Sequence, residues 1–129
     1  MMQKKFLLHG AMFMALAVAL GAVGSHALSH KLTEHSMYLF NLGVNYQIYH
    51  AIGLLAIGII YAQYPNKNTQ VAGWLMLAGI IGFSGGLYFY AITQIEWVRS
   101  IIPVGGVLLI LSWLALILAI FGKQANNNE

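Results

Sequence analysis

The stretch "SIIPVGGVLLILSWLALILAIFG", Ser100 to Gly122, contains no charged residue. An α-helix rises 1.5 Å per residue, so about 20 residues cross the roughly 30 Å hydrocarbon core of a bilayer. This stretch is therefore long enough to form a membrane span. Three other stretches are also uncharged and at least as long, at Phe6 to His30, His35 to Asn66 and Asn68 to Ile95.

The four stretches predict an all-α integral membrane four-helix bundle, a single domain over residues 1–129. We expect spans at about 6–24, 43–61, 71–93 and 101–121, followed by a disordered tail over 122–129. Helices are expected because backbone groups in lipid must be paired internally, and the stretches lack the alternation of barrel strands. The composition agrees, since only 7% of the residues are charged against about 25% in an average soluble domain.

The first stretch has a second interpretation. Lys4 and Lys5 precede an apolar run that ends in small residues around Ala22 to Ala27, the pattern of a cleaved signal peptide. Three further spans follow in either case.

Lysine and arginine in short loops predict which side of the membrane the termini occupy. With four spans the termini share a side, which carries Lys4, Lys5, Lys67 and Lys123, whereas Lys31 and Arg99 lie on the other side. We therefore expect both termini in the cytoplasm of a multi-pass protein of the plasma (bacterial inner) membrane. The net charge of +3 reflects this bias, and no basic patch with interleaved aromatics points to nucleic acid.

The segment between the first two spans predicts a short interfacial helix over about 25–39. At 100° per residue, His26, His30 and Glu34 share one face and the leucines lie opposite, as in a helix lying at the membrane surface. The spacing of "HALSH" matches that of the zinc-protease motif, but Ala27 stands where that motif needs its glutamate base. A water-facing polar side explains the same histidines, so no metal site and no cofactor are predicted.

Small residues recur at helical spacing within the spans and predict close helix packing, because lipid provides no hydrophobic drive between helices. Such faces fit packing inside the bundle and also a homodimer. The glycines expected at packing faces are Gly21, Gly24, Gly79, Gly82, Gly86, Gly105 and Gly106.

Polar side chains enter the second span on one helical face. Tyr46, Gln47 and His50 are three and four residues apart, and polar groups at that depth indicate a functional site unless they are paired. Hydrogen bonding to Ser84, Ser112 or the first span would instead hold the bundle together. Haem ligation by His50 with His26 is a further alternative, since two helices of a bundle can each supply an axial imidazole.

Four motifs occur in order along the chain: "GAVGSHAL" (Gly21 to Leu28), "YQIYHA" (Tyr46 to Ala51), "GFSGGLY" (Gly82 to Tyr88) and "PVGG" (Pro103 to Gly106), with Trp113 beyond. In sequence and spacing the chain resembles the small bacterial inner-membrane family known as domain of unknown function number four-two-three, which has a eukaryotic transmembrane relative. The resemblance covers nearly the whole chain. It implies a four-span membrane protein without an established activity, in which His26 and His50 are the motif histidines and Ser25 stands where alanine is frequent.

The sequence contains no cysteine and no charged residue in the middle of a span. We therefore expect a non-enzymatic accessory or scaffold protein, in contact with the lipid bilayer and with a membrane-protein partner or a second copy of itself. The alternative is a small-molecule or ion site near the outer ends of spans one and two, lined by His26, Tyr46, Gln47, His50 and Ser84. A channel is a weaker alternative, because the inner halves of the spans offer few polar residues to line one.

Overall fold

A computed structural model describes the backbone of residues 1–126 and the side chains of residues 1–122. The helices are α1 (Met2–Val23), α2 (Glu34–Gln63), α3 (Lys67–Ile80), α4 (Gly86–Thr93) and α5 (Ile101–Asn126). One π-helical turn, Gly24–Leu28, extends α1, and a second, Ile81–Gly85, joins α3 to α4. A 3₁₀ turn, Glu96–Ser100, leads into α5.

These elements form four helical segments that are long and apolar enough to cross a membrane: Met2–Leu28, Glu34–Gln63, Lys67–Thr93 and Glu96–Gly122. We refer to them as spans one to four. The predicted all-α membrane bundle is confirmed. Each segment is longer than the span expected from the sequence, because the helices continue into the polar flanks beyond the apolar stretch.

The predicted interfacial helix over 25–39 does not form as a separate element. The π-helical turn holds residues up to Leu28, and α2 begins at Glu34. The boundary is set by Thr33, whose side-chain oxygen accepts a hydrogen bond from the amide of Ser36 at 3.1 Å. This N-cap supplies a partner to a helix-start amide that would otherwise lack one. Residues 25–39 therefore belong to two different helical segments, and the prediction of one interfacial helix there is wrong.

The C-terminal end also differs from the expectation of a disordered tail over 122–129. Helix α5 continues to Asn126, since the polar residues after the apolar stretch include no proline that would stop it. Residues 127–129 lie outside the described part of the chain.

The four spans form two pairs, with α1 packed mainly on α2 and α3 mainly on α5. Span two also contacts both halves of span three and has the largest buried share, which places it at the centre of the bundle. Two apolar clusters form the core. The larger contains Phe6, Leu54, Ile57, Ala72, Met76, Ile80, Leu109 and Leu116, and the smaller contains Phe40, Val44 and Ala91.

Several glycines lie where helices approach each other closely. A Cβ atom at Gly79 would lie 2.6 Å from Cδ2 of Leu109, and one at Gly105 would overlap the backbone nitrogen of Phe83. At Gly24 and Gly86 the same atom would come within 2.9 Å of a side chain, and at Gly82 within 3.1 Å of the Gly105 backbone. Gly21 and Gly106 leave room for a methyl group, with nearest contacts of 3.5 Å.

Candidate functional site

The π-helical turn Ile81–Gly85 lies where span three crosses span four. At this crossing Gly82 faces Gly105 so closely that their backbones are nearly in contact. A π turn carries one more residue per turn than an α-helix, and such turns are frequent at functional sites. Here the turn directs Ser84 toward span two and brings Phe83 to the side of span four.

Two buried serines bond to backbone carbonyls of other spans. Ser84 donates to the carbonyl of Gly43 at 2.7 Å, and Ser112 donates to that of Ala72, also at 2.7 Å. A serine hydroxyl in lipid has no water as an alternative partner, so each bond fixes one helix against the next.

Gln47 connects three helices. Its amide nitrogen donates to the carbonyl of Phe13 on α1 at 2.7 Å, and its amide oxygen accepts from the hydroxyl of Tyr88 on α4 at 2.6 Å. The side chain is only 2% exposed, and loss of the amide would remove both of these bonds between helices and leave the Tyr88 hydroxyl without its partner. Gln47 is therefore a central connection between α1, α2 and α4.

His50 uses both ring nitrogens. Its Nδ1 lies 2.7 Å from the carbonyl oxygen of Tyr46, and its Nε2 lies 3.1 Å from the indole nitrogen of Trp113. A carbonyl only accepts and an indole N–H only donates, so the network assigns the neutral ring with its proton on Nδ1. The Nε2 lone pair, the one that haem iron would need, is occupied by Trp113.

A cavity of about 510 Å³ opens beside this pair. Tyr46 and Phe83 form its aromatic wall with ring centroids 5.0 Å apart, and the His50 and Trp113 rings lie 6.0 Å apart. The remaining lining is mostly aliphatic and comes from span four: Pro103, Gly106, Val107, Leu109 and Ile110.

The residues predicted to share one ligand site lie in three different environments. Tyr46 and His50 line the cavity, whereas Gln47 and Ser84 are engaged in bonds between helices. His26 is exposed on the π-helical turn after α1 and is not part of the cavity lining. Within the described residues, no group of three or more histidine, aspartate or glutamate side chains is arranged to hold a metal ion.

Three residues of this region were not predicted: Phe83, Tyr88 and Trp113. Tyr88 is the most informative of them, because it is a polar aromatic residue within the third span, at the end of the "GFSGGLY" motif. A phenol at that depth needs a partner, and Gln47 was the available amide. Trp113 indicated a partner for His50 in the same way, since an indole N–H inside a span needs a hydrogen-bond acceptor.

Comparison with known proteins gives the chain its family. The family model described as "Protein of unknown function (DUF423)" matches residues 20–106, which include all four motifs. The chain belongs to this family. A UPF0382 membrane protein of Staphylococcus epidermidis is 44% identical over 116 residues, which cover 90% of this chain and 94% of the relative.

A second relative, the UPF0382 membrane protein YwdK of Bacillus subtilis, is 40% identical over 117 residues, which cover 90% of this chain and 95% of the relative. No solved structure matches the chain significantly. The family and the four apolar helices together identify an integral membrane protein of a bacterial type whose activity is not established.

Proposed function

We propose that the protein is a non-catalytic accessory or scaffold protein of the plasma membrane. The observation that carries this proposal is the use made of the polar side chains inside the spans. Gln47, Ser84 and Ser112 each donate to a backbone carbonyl of another span. Bonds of this kind hold helices in one relative arrangement, which favours a fixed binding surface over a moving transport path.

The outward face of α1 offers such a surface. Ala11, Ala15 and Ala19 are four residues apart and exposed, and α1 belongs to the span with the smallest buried share. Small side chains allow the backbone of a partner helix to approach closely in lipid. A membrane-protein partner or a second copy of the chain would fit there.

Affinity purification in mild detergent tests the accessory role. We expect the wild-type protein to retain a defined membrane protein, and Ala15→Leu with Ala19→Leu to lose it because the leucines hold the partner helix away. Ala78→Leu, at an exposed position of span three, is the matched control and should retain the partner. A protein that purifies alone, or a partner that both variants retain equally, contradicts the proposal.

Both termini are proposed to face the cytoplasm, and the absence of cysteine makes this simple to measure. Lys31→Cys and Lys67→Cys lie on opposite ends of the bundle. In spheroplasts, a membrane-impermeant maleimide should label position 31 directly and position 67 only after permeabilisation. The reverse pattern would invert the proposed orientation.

A second candidate function is the binding of a small apolar molecule, and the cavity beside His50 favours it. Its volume of about 510 Å³ falls within the range of about 300–1,000 Å³ that is usual for ligand pockets. The Tyr46 hydroxyl at the cavity has no hydrogen-bond partner in the part of the chain that the structure describes. An apolar body with one hydrogen-bond acceptor would complement this lining.

Filling the cavity tests the second candidate. Val107 lines the cavity and Ile117 is exposed elsewhere on α5, so Val107→Trp is the test and Ile117→Trp the control. Mass spectrometry of lipophilic molecules extracted from the purified proteins should show one compound that only Val107→Trp loses. Equal extracts from both variants would reject a ligand in this cavity.

A further inference from the structure

Thr69 is buried without a hydrogen bond. Its side chain is fully buried, and its hydroxyl is the buried side-chain polar atom that has no partner among the described residues. Five other buried polar residues each bond to a neighbour: Ser36, Gln47, His50, Ser84 and Ser112. A buried hydroxyl without a partner destabilises a fold, so this one requires an explanation.

The unpaired residue lines a slot of about 290 Å³ at the end of the bundle where α2 ends and α3 begins. Ile60 of α2 and Ile120 of α5 form the apolar walls of this slot. Asn66 and Ala119 belong both to the slot and to a wider, more polar cavity of about 450 Å³, which also includes Lys67 and Asn68. The two cavities together provide a polar mouth that leads into an apolar slot.

The polar mouth attracts anions. The side chain of Asn66 accepts from the amide of Thr69 at 2.9 Å. The amides of Lys67 and Asn68 have no partner among the backbone groups of residues 1–126 and the side chains of residues 1–122. The first turn of α3 contains no acidic residue and begins with the exposed cation Lys67. The N-terminal end of a helix carries positive charge and free N–H groups, so it favours phosphate.

The order of these groups matches the order of groups in a phospholipid. Thr69 lies two residues after Lys67, which places it about 3 Å further along the helix axis at 1.5 Å per residue. In a glycerophospholipid the ester carbonyls likewise lie below the phosphate and above the acyl chains. A free phosphate would use the mouth but leave the Thr69 hydroxyl and the apolar slot unused.

We propose that this end of the bundle binds an anionic glycerophospholipid. The phosphate lies against Lys67 and the first amides of α3, an ester carbonyl accepts from the Thr69 hydroxyl, and an acyl chain occupies the slot beside Ile60 and Ile120. This site is separate from the cavity at His50 and independent of the accessory role.

The test compares thermal unfolding of the full-length protein in detergent with and without added lipid. Phosphatidylglycerol should raise the midpoint of the wild type in a saturable way, phosphatidylcholine should raise it less, and inorganic phosphate should not raise it. Thr69→Val removes the hydroxyl at nearly constant volume. It should weaken the apparent affinity for phosphatidylglycerol about tenfold, the effect expected from one lost hydrogen bond to the lipid.

Two further variants make the result specific. Thr69→Ser keeps the hydroxyl and should retain the wild-type affinity, and Lys67→Gln should reduce the difference between phosphatidylglycerol and phosphatidylcholine. Without lipid, Thr69→Val should be at least as stable as the wild type, because it removes an unpaired buried hydroxyl. The proposal is overturned if Thr69→Val keeps the full response to phosphatidylglycerol, or if inorganic phosphate reproduces that response.

Discussion

Replacing Gly105 by alanine tests the closest helix contact in the bundle. The new Cβ atom would lie 2.5 Å from the carbonyl carbon of Gly82 and would overlap the backbone nitrogen of Phe83. Carbon atoms in contact are normally about 3.5 Å apart, so spans three and four must separate by about 1 Å. Neither neighbour can rotate away, because both contacts are backbone.

The magnitude follows from two opposing effects. Overpacking of this kind costs about 3 kcal/mol at the upper end of its usual range, while alanine stabilises a helix by about 1 kcal/mol relative to glycine. We therefore expect Gly105→Ala to lower the free energy of unfolding by about 2 kcal/mol. The separation should also weaken the bond from Ser84 to the Gly43 carbonyl, which depends on the position of the π-helical turn.

The measurement is reversible unfolding in mixed micelles of mild detergent and SDS, followed by circular dichroism. Gly106→Ala is the matched control, since a Cβ atom there would lie at an ordinary 3.5 Å from Phe83. Gly85→Ala is a second control, with nothing within 4 Å of the new atom. Both controls should be as stable as the wild type or slightly more stable. If Gly105→Ala unfolds at the same SDS fraction as these controls, the close contact does not limit the packing of spans three and four.

Three further changes test individual hydrogen bonds. Gln47→Leu should cost about 1–3 kcal/mol because the bond to the Phe13 carbonyl is lost and the Tyr88 hydroxyl is left without its partner. Asn45→Leu, at an exposed position of the same helix, should cost much less in the same unfolding assay. Trp113→Phe keeps an aromatic ring but removes the donor to His50. The ¹⁵N resonance of His50 Nε2 should therefore shift toward that of an unbonded nitrogen, and an unchanged resonance would contradict the bond. Thr33→Val should cost about 1 kcal/mol by removing the N-cap of α2 and should accelerate amide exchange in the first turn of that helix, and equal exchange rates would show that the cap is dispensable.

The sequence predicted the spans because burying charge in lipid is costly, so the positions of nine charged residues limit where the helices can run. It also identified Gln47 and His50 as the polar side chains whose partners decide their role. Those partners, Phe13, Tyr88 and Trp113, lie 34 to 63 residues away along the chain. Their pairing depends on how the helices pack, and periodicity within one helix carries no information about it.

The incorrect prediction of one interfacial helix over residues 25–39 also arose from a contact that periodicity does not report. A helical wheel assumes one continuous helix, whereas Thr33 ends the continuity by capping a new one. The pairing of His26 with His50 was expected because both histidines lie in motifs near the outer ends of the first two spans. In the structure His26 is exposed and the neighbour of His50 is Trp113, so the candidate site lies between spans two and four.

The π-helical turn at Ile81–Gly85 sets the rotational phase between the two halves of span three. One additional residue in an otherwise α-helical segment rotates everything beyond it by about 100°. Before the turn, Gly79 faces span four at Leu109; after it, Tyr88 faces span two at Gln47. Deletion of one residue from this turn would leave the hydropathy of the span nearly unchanged while turning Tyr88 away from Gln47.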